Sequence, residues 1–483
     1  MLYIDQPVHT GHSYDELVNV TAEFVTGDIT IKDFSNNIKY FLLFFSVPSQ
    51  NNTFWVGTYP SQNPQNTVNN TLNASHMAAN LAQALLDSYW NKTRKSVIVP
   101  SPTKMARWSF ILTPLALSAA ALTFFPKFSR ILNSLPTTPM RLRPSIALHT
   151  KPCLTLITSP TGMEQSQNCR RLTHEGDLNH HGNNTTVNEA CRQASEACLE
   201  IEVPYMDGSG LGFYDIAHPK AGPFPPPFFQ GYLNRPHVQA DLGVPLNYTS
   251  GSMAVFTVFN TTGDYVSPGA HGYTNDIRYL LDSGIKVALI YGDRNFSFNW
   301  VGGENTSLSM NYRNASRFRA AGYAVIKTNS SYIGGQVRQY GNFSFSRVYQ
   351  AGHMVPAYQP ETASEIFRRT MFNMDIATVK VNTAIDRAYS TKGSPTTFQR
   401  KHKPPHKPKP TCYILDYFTC TEGQVAILEK DFGLILDYIL VDENTKHLFP
   451  GVELPKPTSS EKKHTSAQRR RQVLFEPSLA MGA

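Results

Sequence analysis

Lys286-Val-Ala-Leu-Ile-Tyr-Gly-Asp293 is the stretch on which the fold turns. Val287 to Tyr291 is unbroken by any charged or small polar residue, with Gly284 before it and Gly292 after it. Such a run suits a strand buried on both faces of a parallel sheet, since a half-exposed strand alternates apolar and polar residues. Working outward, helical spacing is expected over 275–281, 307–321 and 361–373, and strands over 323–328 and 343–349. Strand and helix alternate, which sets the class as α/β. Asp293 then stands at the carboxyl end of a buried strand, the edge where open α/β sheets carry function. His353, in Ala351-Gly-His-Met-Val-Pro356, follows a later strand. An Asp and then a His in this order form the second half of the Ser…Asp…His sequence of α/β hydrolases. There the carboxylate orients the imidazole, and the imidazole takes the nucleophile's proton. From spacing alone, a capping Asp and a structural His remain the alternative.

Composition narrows the function. The chain has 483 residues, 41% of them hydrophobic and 11% aromatic, enough for a sizeable core and too apolar for a disordered or fibrous chain. The formal charge of +8 is concentrated. Residues 88–163 hold ten Lys or Arg and no Asp or Glu, while the rest of the chain carries 34 basic against 36 acidic residues. A nucleic-acid binder with a basic face is therefore excluded. The same region is starved of glycine, with none between Gly57 and Gly162, where about six would match the chain's own glycine frequency. We read 93–160 as aberrant, the product of a shifted frame or retained intron. A real basic insertion and a membrane-associated segment are the alternatives. The apolar run 108–126, flanked by Arg107 and Lys127, has the length to span a bilayer, but Pro114 and its hydroxyl residues argue against that.

Fourteen N-x-S/T sequons stand at Asn19, Asn51, Asn69, Asn73, Asn91, Asn183, Asn184, Asn247, Asn260, Asn295, Asn305, Asn314, Asn329 and Asn342. Chance would supply about five, so the density points to the secretory pathway. Six cysteines, none in a C-x-x-C pair, fit an oxidising compartment. Cys191 and Cys198 lie seven apart on one expected helix, roughly 10 Å between Cα atoms and too far to bridge. Pairing Cys169 with Cys191 across a helical hairpin, and Cys412 with Cys420, is expected instead. His174, Glu175, Asp177, His180 and His181 match no metal-ligand spacing and read as a solvated loop.

The motifs resemble the serine carboxypeptidase family. Tyr3-Ile-Asp-Gln-Pro-Val-His-Thr-Gly-His-Ser-Tyr14 is similar to its Asp-Gln-Pro-x-x-x-Gly-Phe-Ser-Tyr turn. Tyr291-Gly-Asp293 with Asn299-Trp-Val-Gly-Gly-Glu304 resembles the segment of its catalytic Asp, and Gly352-His-Met-Val-Pro356 that of its catalytic His. Tyr232-Leu-Asn-Arg-Pro-His-Val-Gln239 resembles its return from cap to core. The tail around Cys412 and Cys420 resembles the extension of some fungal members. The resemblance implies an α/β-hydrolase fold, a mostly parallel sheet with a helical cap, and removal of residues from peptide C-termini through an acyl-enzyme. It implies no cofactor or metal, no nucleic acid, and a secreted or vacuolar location.

The departures are as specific. The family's nucleophile stands in Glu-Ser-Tyr-Gly-Gly, between the first motif and the cap. Neither that motif nor any Gly-x-Ser-x-Gly occurs here. Ser96, Ser101, Ser109 and Ser118 have no nearby Gly, which the strained elbow around such a serine needs. The chain opens as the end of a strand, so a signal peptide and the family's Gly-rich oxyanion loop are expected to precede Met1. The expected division is hydrolase core over 1–92 and 246–378, the aberrant segment over 93–160, a cap over 161–245, a linker over 379–410 and an extension over 411–483. The sequence thus points to a carboxypeptidase chain without its nucleophile. A noncatalytic secreted glycoprotein that binds peptides or a partner protein is the alternative.

Overall fold

The computed structural model describes residue 5 and residues 7–23, 28–31, 51–78, 109–112, 160–220, 226–264, 266, 273–397, 411–430 and 432–454. The strands are β1 (Leu17–Glu23), β2 (Asp28–Ile31), β3 (Phe54–Pro60), β4 (Ser109–Leu112), β5 (Lys286–Gly292), β6 (Ala324–Lys327), β7 (Ile333–Tyr340), β8 (Phe343–Val348), β9 (Leu434–Leu436) and β10 (Ile439–Val441). The helices used below are α1 (Pro160–Gly176), α2 (Thr185–Ser209), α3 (Tyr273–Asp282), α4 (Trp300–Ser309), α5 (Ala315–Ala320) and α6 (Pro360–Met371). The chain divides into two compact units. The larger is drawn from Val68–His218 and Phe256–His406, the smaller from Met1–Thr67, Pro219–Val255 and Lys407–Ala483. The expected boundary near 245 has no counterpart in this division.

The larger unit is built on a five-stranded sheet in the order β4-β5-β8-β7-β6. All seven residues of β5 are buried, as its apolar run requires. β4, β5 and β8 are parallel neighbours, whereas β7 runs antiparallel to both β8 and β6. The sheet is therefore mixed among the described strands, with β4, β5, β8 and β6 running one way and β7 alone the other. The cause is β7, whose Ile-Gly-Gly-Gln-Val-Arg-Gln-Tyr sequence carries too much Gly and polar residue to read as a strand. It turns back into β8 through Gly341, at φ 53°, and Asn342, so Tyr340 pairs with Phe343.

One face of the sheet packs Val287, Leu289, Phe343 and Phe345 against Ile277 and Leu281 of α3, Trp300 of α4 and Phe318 of α5. The other packs Ile290, Val337 and Val348 against Ile366 of α6 and Ile376. Fully burying one such side chain is worth about 1.5–3 kcal/mol. The single helix expected over 307–321 is two, α4 and α5. The chain leaves the helix at Met310, which with Tyr312 turns into the core, while Arg313 donates its backbone N–H to Asp282 at 2.8 Å. The linker expected from 379 is also revised over 379–397. Thr391 bonds Gly322 and Gln339, Tyr389 bonds Asp375, and the Thr397 carbonyl accepts from the buried Arg347 at 2.6 Å. These polar bonds, which carry no periodicity, hold the segment on the sheet.

α1 and α2 form a hairpin closed by the Cys169–Cys191 disulfide. Closing a loop of that length stabilises by about 3 kcal/mol in the chain-entropy account. The loop between the helices is anchored from within at Asp177 and His180, which are buried, while His174, Glu175 and His181 are exposed as expected of a solvated stretch. Asp177 is buried, and its carboxylate accepts from the backbone N–H groups of His181 and Gly182, both at 2.8 Å. Asn184 caps α2 through the N–H groups of Thr186 and Val187. The reading of 93–160 rests mostly on residues outside the described ones. Within that window 109–112 form β4, paired with β5.

In the smaller unit β2, β1 and β3 make an antiparallel sheet, and β9 and β10 a hairpin. Cys412 and Cys420, joined as a disulfide, pack with Ile414, Leu428 and Leu440 into a small core. The linker sequence 401–410 lies outside the described residues, as do Cys153 and the side chain of Cys198.

Leu289, fully buried at the centre of β5, gives a direct test of this core. Leu289→Ala should lower the unfolding free energy by about 2–5 kcal/mol. The readout is the urea midpoint at unchanged m-value, and a shift worth less than about 0.5 kcal/mol would show that β5 is not central.

Candidate active site

The parallel pairing of β5 with β8 runs from Val287–Phe343 to Gly292–Val348, so both strands end at one edge. Asp293 donates its backbone N–H to Val348 at 3.0 Å, and Arg294 donates to Ala351 at 2.9 Å. The loops after the two strands are thus bonded to each other. Gly292 is required at this approach, because a Cβ there would lie on the carbonyl oxygens of Ala351 and Gly352. The structure therefore places Asp293 and His353, the two residues singled out by sequence, on the same edge of the sheet.

The Asp293 side chain is 3% exposed. Its Oδ1 faces the Ala351 N–H at 3.4 Å, and its Oδ2 lies 3.8 Å from the Arg347 guanidinium. Burial pushes its pKa up to about 6, against the opposing charges of Arg347 and Arg294. Arg347 is itself buried in β8. It stacks over Trp300 at 4.0 Å and donates to the Thr397 carbonyl. Sequence reading passed over Arg347 because an arginine inside an apolar strand has no motif.

His353 is held by a different set of neighbours. Its backbone N–H donates to Tyr214 at 2.9 Å, and its ring lies between Tyr214 (4.7 Å) and Phe298 (5.3 Å). Nδ1 is 2.9 Å from Asn295 Nδ2. The Asn295 Oδ1 accepts from the Phe298 N–H at 3.3 Å, which assigns the amide nitrogen to the imidazole. An amide nitrogen only donates, so in this orientation of the Asn295 amide Nδ1 accepts and the ring proton is assigned to Nε2. Burial lowers the His353 pKa to about 4. Asn295 entered the sequence reading as one of fourteen sequons. The structure gives it another role, 3% exposed and bonded to His353.

The segment 213–218 forms a shelf beside these loops. Phe296 donates its N–H to Phe213 and Ile216 donates to Arg294. On the shelf His218 Nδ1 lies 2.5 Å from Asp215 Oδ2, and both residues are buried. This pair had no signal beyond an i,i+3 spacing. In the smaller unit a Ser, a His and an Asp also meet, but not as a catalytic set. Asp15 and Ser61 both face the same nitrogen, His9 Nε2, and Ser61 donates to Asp15 at 2.5 Å. His9 is fully buried, so the cluster fastens a turn. Of the serines weighed as nucleophile, Ser109 opens β4, while Ser96, Ser101 and Ser118 lie outside the described residues. Among the described residues, no three His, Cys, Asp or Glu side chains gather as a metal site.

A model of the family described as serine carboxypeptidase matches residues 157–373. A protein named Carboxypeptidase S1 homolog A, from Arthroderma otae, is 39% identical over 95% of this chain and 74% of its own. The vacuolar serine-type carboxypeptidase ATG42 of Saccharomyces cerevisiae is 35% identical over 34% of this chain and 33% of its own. The solved prohormone-processing carboxypeptidase of Saccharomyces cerevisiae aligns with 60% of this chain and 58% of its own. It does so at 17% identity and a TM-score of 0.36, so side-chain roles rest on this chain's own geometry.

The two buried groups make opposite contributions to pH dependence. Between about pH 4 and 6 folded Asp293 holds a proton that the unfolded chain has lost, so its contribution to stability grows as pH falls. Over nearly the same window folded His353 lacks a proton that the unfolded chain holds, so its contribution shrinks as pH falls. The two slopes oppose each other in the intact chain. Asp293→Asn should leave the histidine slope, with stability dropping as pH falls from about 6 to 4 by roughly 1.4 kcal/mol per unit. His353→Gln should leave the opposite slope. Urea midpoints across that range would read both signs, and parallel curves for the two variants would refute the assignment.

Proposed function

We propose, from the premise that this chain belongs to the serine carboxypeptidase family, that it keeps that family's hydrolase scaffold but does not carry out acyl transfer. The observation that carries this reading is the bond at His353 Nδ1. A serine peptidase needs an acceptor there, a carboxylate that takes a hydrogen bond from Nδ1–H, keeps the proton on that nitrogen and so leaves Nε2 free to receive the serine's. Asn295 presents a donor instead, which puts the ring proton on the nitrogen that should be empty. Asp293 and His353 are read as the two surviving members of the triad. With its pKa at about 4, His353 stays neutral yet holds the wrong tautomer for a general base.

The missing nucleophile motif supports the same conclusion. The sequence holds no Glu-Ser-Tyr-Gly-Gly to build the elbow that activates such a serine, and an acyl-enzyme needs that activated serine. Peptide or protein C-termini are the ligands this scaffold suits, bound without turnover. The sequon density and the two disulfides support passage through the secretory pathway, to a secreted or vacuolar destination. No helix among the described residues is long and apolar enough to cross a membrane.

The full chain should not hydrolyse a blocked dipeptide between about pH 4 and about 8, with a rate about a millionfold below that of an intact relative. A chromogenic release assay on the purified chain measures this. Turnover that disappears in His353→Ala would overturn the reading, whereas activity surviving that substitution belongs to a contaminant.

A further inference from the structure

The smaller unit carries an open cavity, a surface cleft of about 540 Å³, lined by Asn51, Asn52, Trp55, Arg235, Asp437 and Tyr438 with Ile414 and Ile435. That volume falls within the range of small-ligand sites, about 300–1,000 Å³. Trp55 and Tyr438 stand with ring centroids 5.4 Å apart and planes tilted by 37°. Tyr438 is set by the tight β9–β10 turn, where it and Asp437 take φ of 67° and 49°. Arg235 Nη2 reaches Asp437 Oδ1 at 2.7 Å, and this exposed pair stands on the lining. Aromatic faces flanked by amide, guanidinium and carboxylate groups suit a pyranose ring. Its weakly positive C–H face meets the negative face of the ring, and its hydroxyl groups meet the polar side chains.

Asn51, on the lining of the same cavity, is an exposed sequon asparagine. Its Oδ1 accepts from the N–H groups of Thr53 (2.9 Å) and Phe54 (2.7 Å) and from the Thr53 hydroxyl (3.3 Å). Its Nδ2 has no hydrogen-bond partner among the described residues. Other sequons differ in this respect. The amide nitrogens of Asn69, Asn73, Asn184, Asn329 and Asn342 are each spent on a protein acceptor, and that of Asn295 on His353.

We propose that Asn51 carries an N-linked glycan whose innermost N-acetylglucosamine residues lie in this cavity against Trp55 and Tyr438. The proposal rests on the secretory reading above. In the forming step the Asn51 amide nitrogen attacks the anomeric carbon of a lipid-pyrophosphate-linked oligosaccharide. A C–N bond replaces the C–O bond, the amide gives up one proton, and the lipid pyrophosphate leaves. The acceptor chain is modified before it folds, so the folded structure decides which glycans it can hold. At Asn51 the fold leaves the amide nitrogen outside and supplies a surface for the sugar. At Asn295 it leaves no room, with the side chain 3% exposed.

The test expresses the full chain behind a heterologous signal peptide in yeast, which imposes entry into the secretory pathway. Glycopeptide mass spectrometry then reads occupancy at Asn51 and at the exposed sequon Asn183. The expected result is an occupied Asn51 whose glycan is released by an endoglycosidase, from the native protein, about tenfold more slowly than that of Asn183. Denaturation or Trp55→Ala should remove the difference. Equal native release rates in the unmodified chain overturn the docking. An empty Asn51 beside an occupied Asn183 overturns the site and leaves the secretory reading standing, while emptiness at both overturns the two together.

Discussion

The parallel pairing of β5 with β8 is the constraint from which the larger unit follows. It buries Val287, Leu289, Phe343 and Phe345 on one face, Ile290 and Val348 on the other, and aligns two strand ends at one edge. With the strands one hydrogen-bond spacing apart, the loops that leave them have only glycine-sized room to pass, hence Gly292 against Ala351 and Gly352. The positions of Asp293 and His353 are consequences of that packing. Helices α3, α4 and α6 can cover the sheet because it presents apolar side chains on both faces.

Within this frame several charged residues are buried, among them Arg338, Arg347 and Glu304. Arg347 shares its interior setting with Asp293, and Glu304 accepts from the Tyr323 hydroxyl at 2.6 Å while lying 4.0 Å from Arg338. Taking such groups from water is costly, and their mutual attraction with full hydrogen bonding is what offsets it. Here the carbonyls of Thr397, Arg319, Ala321 and Pro395 accept from the terminal guanidinium nitrogens, while the Nε atoms of Arg347 and Arg338 stay buried without a hydrogen-bond partner among the described residues. The irregular segment 379–397 is thereby part of the electrostatics of the sheet. Its order comes from buried charge and not from any local preference of its sequence.

The same environment decides what the Asp293 and His353 loops can do. Desolvation acts on both in the direction of neutrality, raising the carboxyl and lowering the imidazole. A working triad needs the reverse, an ionised carboxylate beside an imidazole able to become a cation. The Asn295 donor reinforces neutrality at His353. The scaffold and the neutrality of these two groups have separate origins, since packing sets the first while burial and a few polar atoms set the second.

By itself the sequence determined the α/β class, β5 and β8, helices near α3 and α6, both disulfide pairings and the family. These rest on local signals: an unbroken apolar run, helical periodicity, cysteine spacing and short motifs whose residues are adjacent in the chain. It also located Asp293 and His353, because each directly follows a strand that periodicity reveals. Only the tertiary structure decided that β7 is a strand, since its Gly and polar residues become strand-like only when β8 offers hydrogen bonds. Only tertiary structure set Arg347 against Trp300 and Asp293, buried His218 against Asp215, and turned Asn295 from a sequon into the partner of His353. Each of those results joins atoms from separate strands or loops, or depends on burial that the whole unit creates. A hydrogen bond between residues 58 positions apart has no periodicity or composition to announce it.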